Sequence, residues 1–116
     1  TIFNTKVGIG AGNAGALPNE KGGILLDRGT RGTTIGGRAA PRQVVIQAND
    51  KAGLTIYFSR ENTILNNLIT ENAEVGIYAF GPCNGTRIKG NTVTDNGPGG
   101  TTNVDLTQSS GILYVP

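Results

Sequence analysis

One stretch of this chain is written twice. Asn62-Thr-Ile64-Leu-Asn-Asn67-Leu-Ile69-Thr-Glu-Asn72 returns as Thr86-Arg-Ile88-Lys-Gly-Asn91-Thr-Val93-Thr-Asp-Asn96, and the steps Ile64 to Ile88, Asn67 to Asn91 and Asn72 to Asn96 are all twenty-four residues. A repeat of this period means that segments of one shape lie on one another, each burying what its neighbour leaves open. A second signature extends the stack toward the N-terminus. An Asn is followed four residues later by Gly and an aliphatic residue: Asn19 to Gly23-Ile24, Asn49 to Gly53-Leu54, Asn72 to Gly76-Ile77. The step from each Gly to the next Ile is nearly constant, twelve for Gly23 to Ile35, eleven for Gly53 to Ile64 and twelve for Gly76 to Ile88. The chain reads as four turns of one coil with insertions at corners. Gly111-Ile112 reads as a fourth Gly-aliphatic step, which makes Gly97 to Ser110 a loop about eleven residues longer than its counterparts.

A coil of this length with three short aliphatic segments divided by Gly and Asn corners is what a right-handed parallel β-helix needs. Each strand then pairs with its equivalent one coil away, at about 4.8 Å, and equivalent side chains stack. Four columns are expected to point inward: Ile24, Leu54, Ile77 and Ile112; Leu26, Ile56, Ala79 and Tyr114; Ile35, Ile64 and Ile88; Ile46, Ile69 and Val93. With 19 Gly, 12 Asn and 14 Thr among 116 residues the composition suits corners and pleated surface. No run of ten residues carries a 3.6-residue apolar period, so almost no helix is expected. Asn67 over Asn91, and Asn49 over Asn72 and Asn96, should form structural amide ladders. The fold class is therefore all-β, a parallel solenoid of about four coils, and residues 1–116 read as a single unit, one repeat or subunit of a longer solenoid.

These motifs resemble the parallel β-helix repeat family. Val7-Gly-Ile-Gly-Ala-Gly-Asn-Ala-Gly-Ala-Leu-Pro-Asn-Glu-Lys-Gly-Gly-Ile-Leu-Leu26, Thr33-Thr-Ile-Gly-Gly37 and Val44-Val-Ile-Gln-Ala-Asn49 are similar to repeats of large secreted or surface-displayed bacterial proteins. The resemblance implies an extracellular or cell-surface location. It leaves function open among adhesins, structural surface proteins, phage tailspikes, polysaccharide lyases and epimerases.

The charge is +2, from ten scattered cations against eight acids, and there are three Tyr and three Phe. That is not the basic stripe with stacking aromatics of a nucleic-acid binder. No eighteen-residue apolar stretch is present to span a membrane. With no His and one Cys, the zinc, Ser-His-Asp and phosphate-loop constellations are missing, so neither a cofactor nor enzyme activity is expected. Gly8, Gly10 and Gly12 lack the strand-to-helix context of a nucleotide loop. Glu71 and Asp95, twenty-four residues apart, should stack with Asp50 next in their column, and they make calcium the one candidate metal. With Arg87 and Lys89 they form a weak carbohydrate or cation set; Arg60 joins the cations that an anionic sugar would meet. A Thr array for ice binding fails on register, since only Thr70 stacks on Thr94 while Thr63 faces Arg87. Cys83 reads as a small corner residue beside Pro82, with an intermolecular cross-link as the sharper alternative. Asn84-Gly-Thr86 fits a glycosylation acceptor.

The ends carry the functional expectation. Thr1-Ile2-Phe3 and Val7 at one end, and Ile112-Leu113-Tyr114-Val115-Pro116 at the other, are apolar segments that stop in mid-coil. The chain starts at Thr1 and contains no Met, so it reads as a mature product, a fragment or one unit of something longer. If a second copy follows Pro116, its Val7 falls twelve positions after Gly111, and Thr5-Lys6-Val7 aligns with Thr86-Arg87-Ile88. Head-to-tail stacking would cover both ends and, being heterologous, would give a filament. The expectation is a structural or adhesive fibre subunit partnered by itself. The alternative is a module that binds or processes polysaccharide, with recognition at the Gly97 to Ser110 loop and the Arg38-Ala-Ala-Pro-Arg42 insertion.

Overall fold

The computed structural model describes residues 1–10 and 15–116; Gly12, one of the three glycines singled out above, lies outside them. Ten strands follow in order: β1 Lys6–Val7, β2 Ile24–Leu26, β3 Thr34–Gly36, β4 Val45–Gln47, β5 Leu54–Tyr57, β6 Thr63–Leu65, β7 Leu68–Thr70, β8 Ile77–Lys89, β9 Thr92–Thr94 and β10 Val104–Val115. All their pairings are parallel. Helical structure among the described residues is confined to two 3-10 turns, Ala40–Arg42 and Pro98–Gly100. The fold is a parallel β-solenoid of about four coils with three strand columns.

Column one stacks Ile24 on Leu54, Ile77 and Val104. Column two stacks Ile2 on Ile35, Ile64, Ile88 and Tyr114. Column three, the four-stranded sheet β1-β4-β7-β9, stacks Val7 on Ile46, Ile69 and Val93. β8 and β10 are long because each runs from column one through the corner into column two. The middle rungs exclude water: Ile35, Ile46, Leu54, Ile56, Ile64, Ile69, Ile77, Ala79 and Ile88 are fully buried. Strands of three or four residues cannot hold such a core alone; stacking makes it continuous along the axis.

The expected columns hold through three coils, and the fourth is corrected. Val104, not Ile112, lies on Ile77, and Tyr114 lies on Ile88 rather than Ala79. Gly97 to Ser110 is therefore no long loop: from Val104 onward it is strand. The alignment of Thr5-Lys6-Val7 with Thr86-Arg87-Ile88 also fails, because Lys6-Val7 pairs with Val45-Ile46 in column three. Gly111-Ile112 imitates the Gly-aliphatic corner step, but its Gly, at φ 77°, marks an irregularity inside β10 over Asn84. Cys83 lies, as expected, at a corner, where β8 passes from column one to column two. It is fully buried in β8 with its Sγ 3.9 Å from the Ile56 carbonyl oxygen, so it is not available for the intermolecular cross-link.

Candidate functional site

The corner between columns three and one is built from the Asn signature. Asn19, Asn49, Asn72 and Asn96 each donate from Nδ2 to the Oδ1 of the next Asn at 2.9, 2.9, 2.9 and 3.1 Å, ending on Asn103. Each Oδ1 from Asn72 to Asn103 also accepts the backbone N–H of the Asn before it, at 3.0–3.1 Å. The corner thus satisfies its own buried polar groups, which a turn cut off from water otherwise could not do. The Gly four residues after each Asn has a steric reason. A Cβ on Gly53 would sit 2.7 Å from Asn72 Nδ2 and 2.9 Å from the Ile69 side chain, and one on Gly76 would sit 2.7 Å from Asn96 Nδ2. Asn67 and Asn91 form the second expected ladder, with an Nδ2 to Oδ1 distance of 3.0 Å.

Glu71 and Asp95 flank the first ladder at equivalent positions, both in left-handed geometry at φ 55° and 56°. Their adjacency follows from the pairing of Thr70 with Thr94. The third residue of their column is Ala48, not Asp50, since Gln47 pairs with Thr70 and Ala48 has the same conformation at φ 60°. Both acids are exposed, and Glu71 Oε2 accepts a hydrogen bond from Gln47 Nε2 at 2.9 Å. Among the described residues no three His, Cys, Asp or Glu side chains converge on one point. Asp105 is the acid whose titration is displaced: the Thr107 hydroxyl and N–H both donate to its Oδ1, at 2.7 and 3.0 Å, and hold its carboxyl below the usual range.

Arg87 and Lys89 lie elsewhere, on the outer surface of column two, where Arg87 pairs with Thr63 and Lys89 with Leu65. The expected carbohydrate set is thus split between two edges of the coil. A cavity of about 420 Å³ brings Arg87 and Lys89 together with Arg38, Thr63 and Asn66. At the neighbouring corner a second cavity, about 390 Å³, is lined by Arg28, Arg31, Arg60, Thr30, Phe58 and Pro82. Arg31 and Arg60 are bridged across adjacent rungs. Arg28 packs its guanidinium 4.7 Å from the Phe58 ring centre and donates to the Tyr57 hydroxyl at 3.3 Å. Of this second cluster Arg60 alone stands among the candidates drawn from the sequence. A signal for its partner is present there: Arg31 to Arg60 is twenty-nine residues, the same step as Ile35 to Ile64.

The expected assembly residues divide between the two ends of the stack. Ile2 and Val7 are half-buried on the first rung, with Thr1 exposed and Phe3 50% exposed beneath the Arg42 guanidinium. Ile112 is half-buried on the last rung, Leu113, Tyr114 and Val115 are exposed at 58%, 38% and 38%, and Pro116 is exposed.

Fold and surface together define a parallel β-solenoid with a self-bonded Asn corner and an arginine-rich face. Residues 11–113 match the family model described as periplasmic copper-binding protein (NosD), and the chain belongs to that family. No curated protein and no solved structure matches the chain. The family description corrects the expectation of no cofactor with calcium as the candidate, because the metal named for the family is copper. The side chains present do not fit a copper centre. Copper sites draw on imidazole, thiolate and thioether donors; this chain has no His and no Met, and the thiol of Cys83 is sealed in the core. The family's location is also more specific than the expected cell surface: it is described as periplasmic. Among the described residues no helix is long and apolar enough to cross a membrane.

Proposed function

We propose that this chain is a non-catalytic structural element of the periplasm or outer surface, a stack of rungs that copies of itself extend end to end. The observation that supports this reading is the last rung. β10 pairs with β8 and has no second partner among the described strands, so one edge of a twelve-residue strand presents free backbone groups. Beside them stand the exposed side chains of Leu113, Tyr114 and Val115. An edge of that length, with Asp105 its single charge and apolar side chains along its final third, is a template for another strand unless something covers it. At the opposite end β1 and β2 have one partner strand each, with Phe3 and Leu25 exposed. The family's periplasmic description supports a location beyond the cytoplasm.

Sedimentation of the full chain across a concentration range tests this. Open head-to-tail contacts give a continuous series of growing species rather than one closed oligomer. Leu113→Lys combined with Val115→Lys should return the protein to monomer with unchanged β circular dichroism. A wild-type chain that stays monomeric at every concentration, with β10 amides exchanging as slowly as those of β6, would overturn the proposal.

A further inference from the structure

Of the six Arg, Arg28, Arg31 and Arg60 lie at the corner between columns one and two, Arg87 lies in column two, and Arg38 and Arg42 lie in the insertion between β3 and β4. Three of them, Arg28, Arg31 and Arg60, share the corner cavity, and Arg87 and Lys89 continue the same side one strand further on. The Lys51–Glu74 ion pair lies outside both cavities. Asp27 and Glu61 are the acids nearby; Asp27 accepts the Arg28 backbone N–H at 2.7 Å, and neither forms a salt bridge. Stacking Arg31 on Arg60 across adjacent rungs therefore sets like charges opposite each other without a counter-ion, which is destabilising in an empty sheet face. Such an arrangement is relieved when an anion arrives.

We propose that the arginine face binds an acidic polysaccharide, whose carboxylate or sulfate groups supply the counter-ions that Arg28, Arg31 and Arg60 lack. Guanidinium forks suit oxyanions because two parallel N–H donors match two oxygens. Arg28 is held ready for this by the Phe58 ring and the Tyr57 hydroxyl, so little rotamer freedom is lost on binding. The ligand is a polymer because the cationic sites recur. From Arg60 to Thr63, which lines the second cavity beside Arg87, the chain advances three residues, about 10 Å of strand. A chain of charged sugars can bridge that distance, while a single small anion reaches one cavity only. The aromatic rings argue against a nucleic acid. Tyr57, Phe58 and Phe80 pack on one another at 4.8–5.8 Å and Arg28 covers Phe58, so the rings beside this cavity are engaged with one another and with the guanidinium rather than offered to a base.

The test is binding of the full chain to polygalacturonate, dextran sulfate, neutral dextran and single-stranded DNA, followed by isothermal titration at low and at physiological salt. Binding to either acidic polymer and not to neutral dextran is expected, and which one binds identifies carboxylate or sulfate as the anion. Arg31→Gln with Arg60→Gln should weaken binding roughly tenfold or more, and Arg87→Gln with Lys89→Gln should weaken it separately. Lys21→Gln with Lys51→Gln removes equal charge from outside the two cavities and should leave it unchanged, with thermal unfolding confirming that every variant is folded. The proposal is overturned if neither acidic polymer binds, if the two lysines matter as much as the arginines, or if DNA binds as tightly as the polysaccharide. None of these outcomes depends on whether copies stack, because the arginines face sideways and not along the axis.

Discussion

At the scale of single residues the fold depends on side-chain amides placed where the backbone cannot bond to itself. The Asn72 side chain takes part in four hydrogen bonds: Nδ2 donates to the Ile46 carbonyl oxygen and to Asn96 Oδ1, while Oδ1 accepts from the N–H and Nδ2 of Asn49. All of these groups are shut off from water, and a buried group left unpaired costs about 1–3 kcal/mol. Asn72→Ala should therefore lower stability by about 3 kcal/mol or more in urea unfolding. Asn66→Gly, which removes a half-buried amide with one donated bond to the Gly37 carbonyl oxygen at a φ of 55° that Gly accepts, should cost about 1 kcal/mol. A loss below about 1 kcal/mol for Asn72→Ala would mean that the ladder accompanies the corner without holding it. The ladder is legible in the amino-acid sequence because near-identical spacing at Asn49, Asn72 and Asn96 is itself the stacking rule. Its two ends differ. Asn19 carries the Gly23-Ile24 step and so is visible, whereas Asn103 follows Asn96 by only seven residues and no period announces it.

At the scale of elements the sequence identifies strands by their inward aliphatic residues, and this works wherever corners are of standard length. It fails at β10. Two steps compete for the same column, Gly111-Ile112 by motif and Asn103-Val104 by position, and the motif is the weaker guide. The column-one segment is recognised by the Asn before it, which fills the corner, and Asn103 supplies that amide. The register can be checked chemically. Neighbouring parallel strands in register bring Cα atoms within the 4.4–6.8 Å that a disulfide accepts. With Cys83 replaced by Ala, Arg87→Cys combined with Leu113→Cys should oxidise readily to an intramolecular disulfide, since Leu113 pairs with Arg87. Tyr78→Cys with Leu113→Cys, the pair that the motif-based register would join, should remain as free thiols. Cross-linking of the second pair alone would restore the long loop and remove the open strand edge.

At the scale of the whole molecule, the proposed end-to-end stacking makes a geometric demand that the columns state. Column two holds five stacked positions, Ile2, Ile35, Ile64, Ile88 and Tyr114, and the other two hold four each. The described residues thus carry thirteen strand segments, which resolves the expected four or so coils into four and a third. If the next copy kept the same orientation, columns one and three would each lack a rung at the joint, exposing apolar surface and unpaired backbone. A third of a turn removes the gap. Ile2 of the next copy then falls on Val93, its Val7 on Val104 and its Ile24 on Tyr114, apolar on apolar throughout. A filament built this way should show, by cryo-electron microscopy, a rise of about 21 Å per copy with a rotation of about 120°, since each coil adds about 4.8 Å. A rise of about 19 Å without rotation would mean that four rungs repeat and that the terminal half of β10 leaves the stack on assembly. The rotation bears on the arginine face as well, because it would carry that face around the filament axis in successive copies. An acidic polysaccharide held by it would then wrap the filament rather than run along one side.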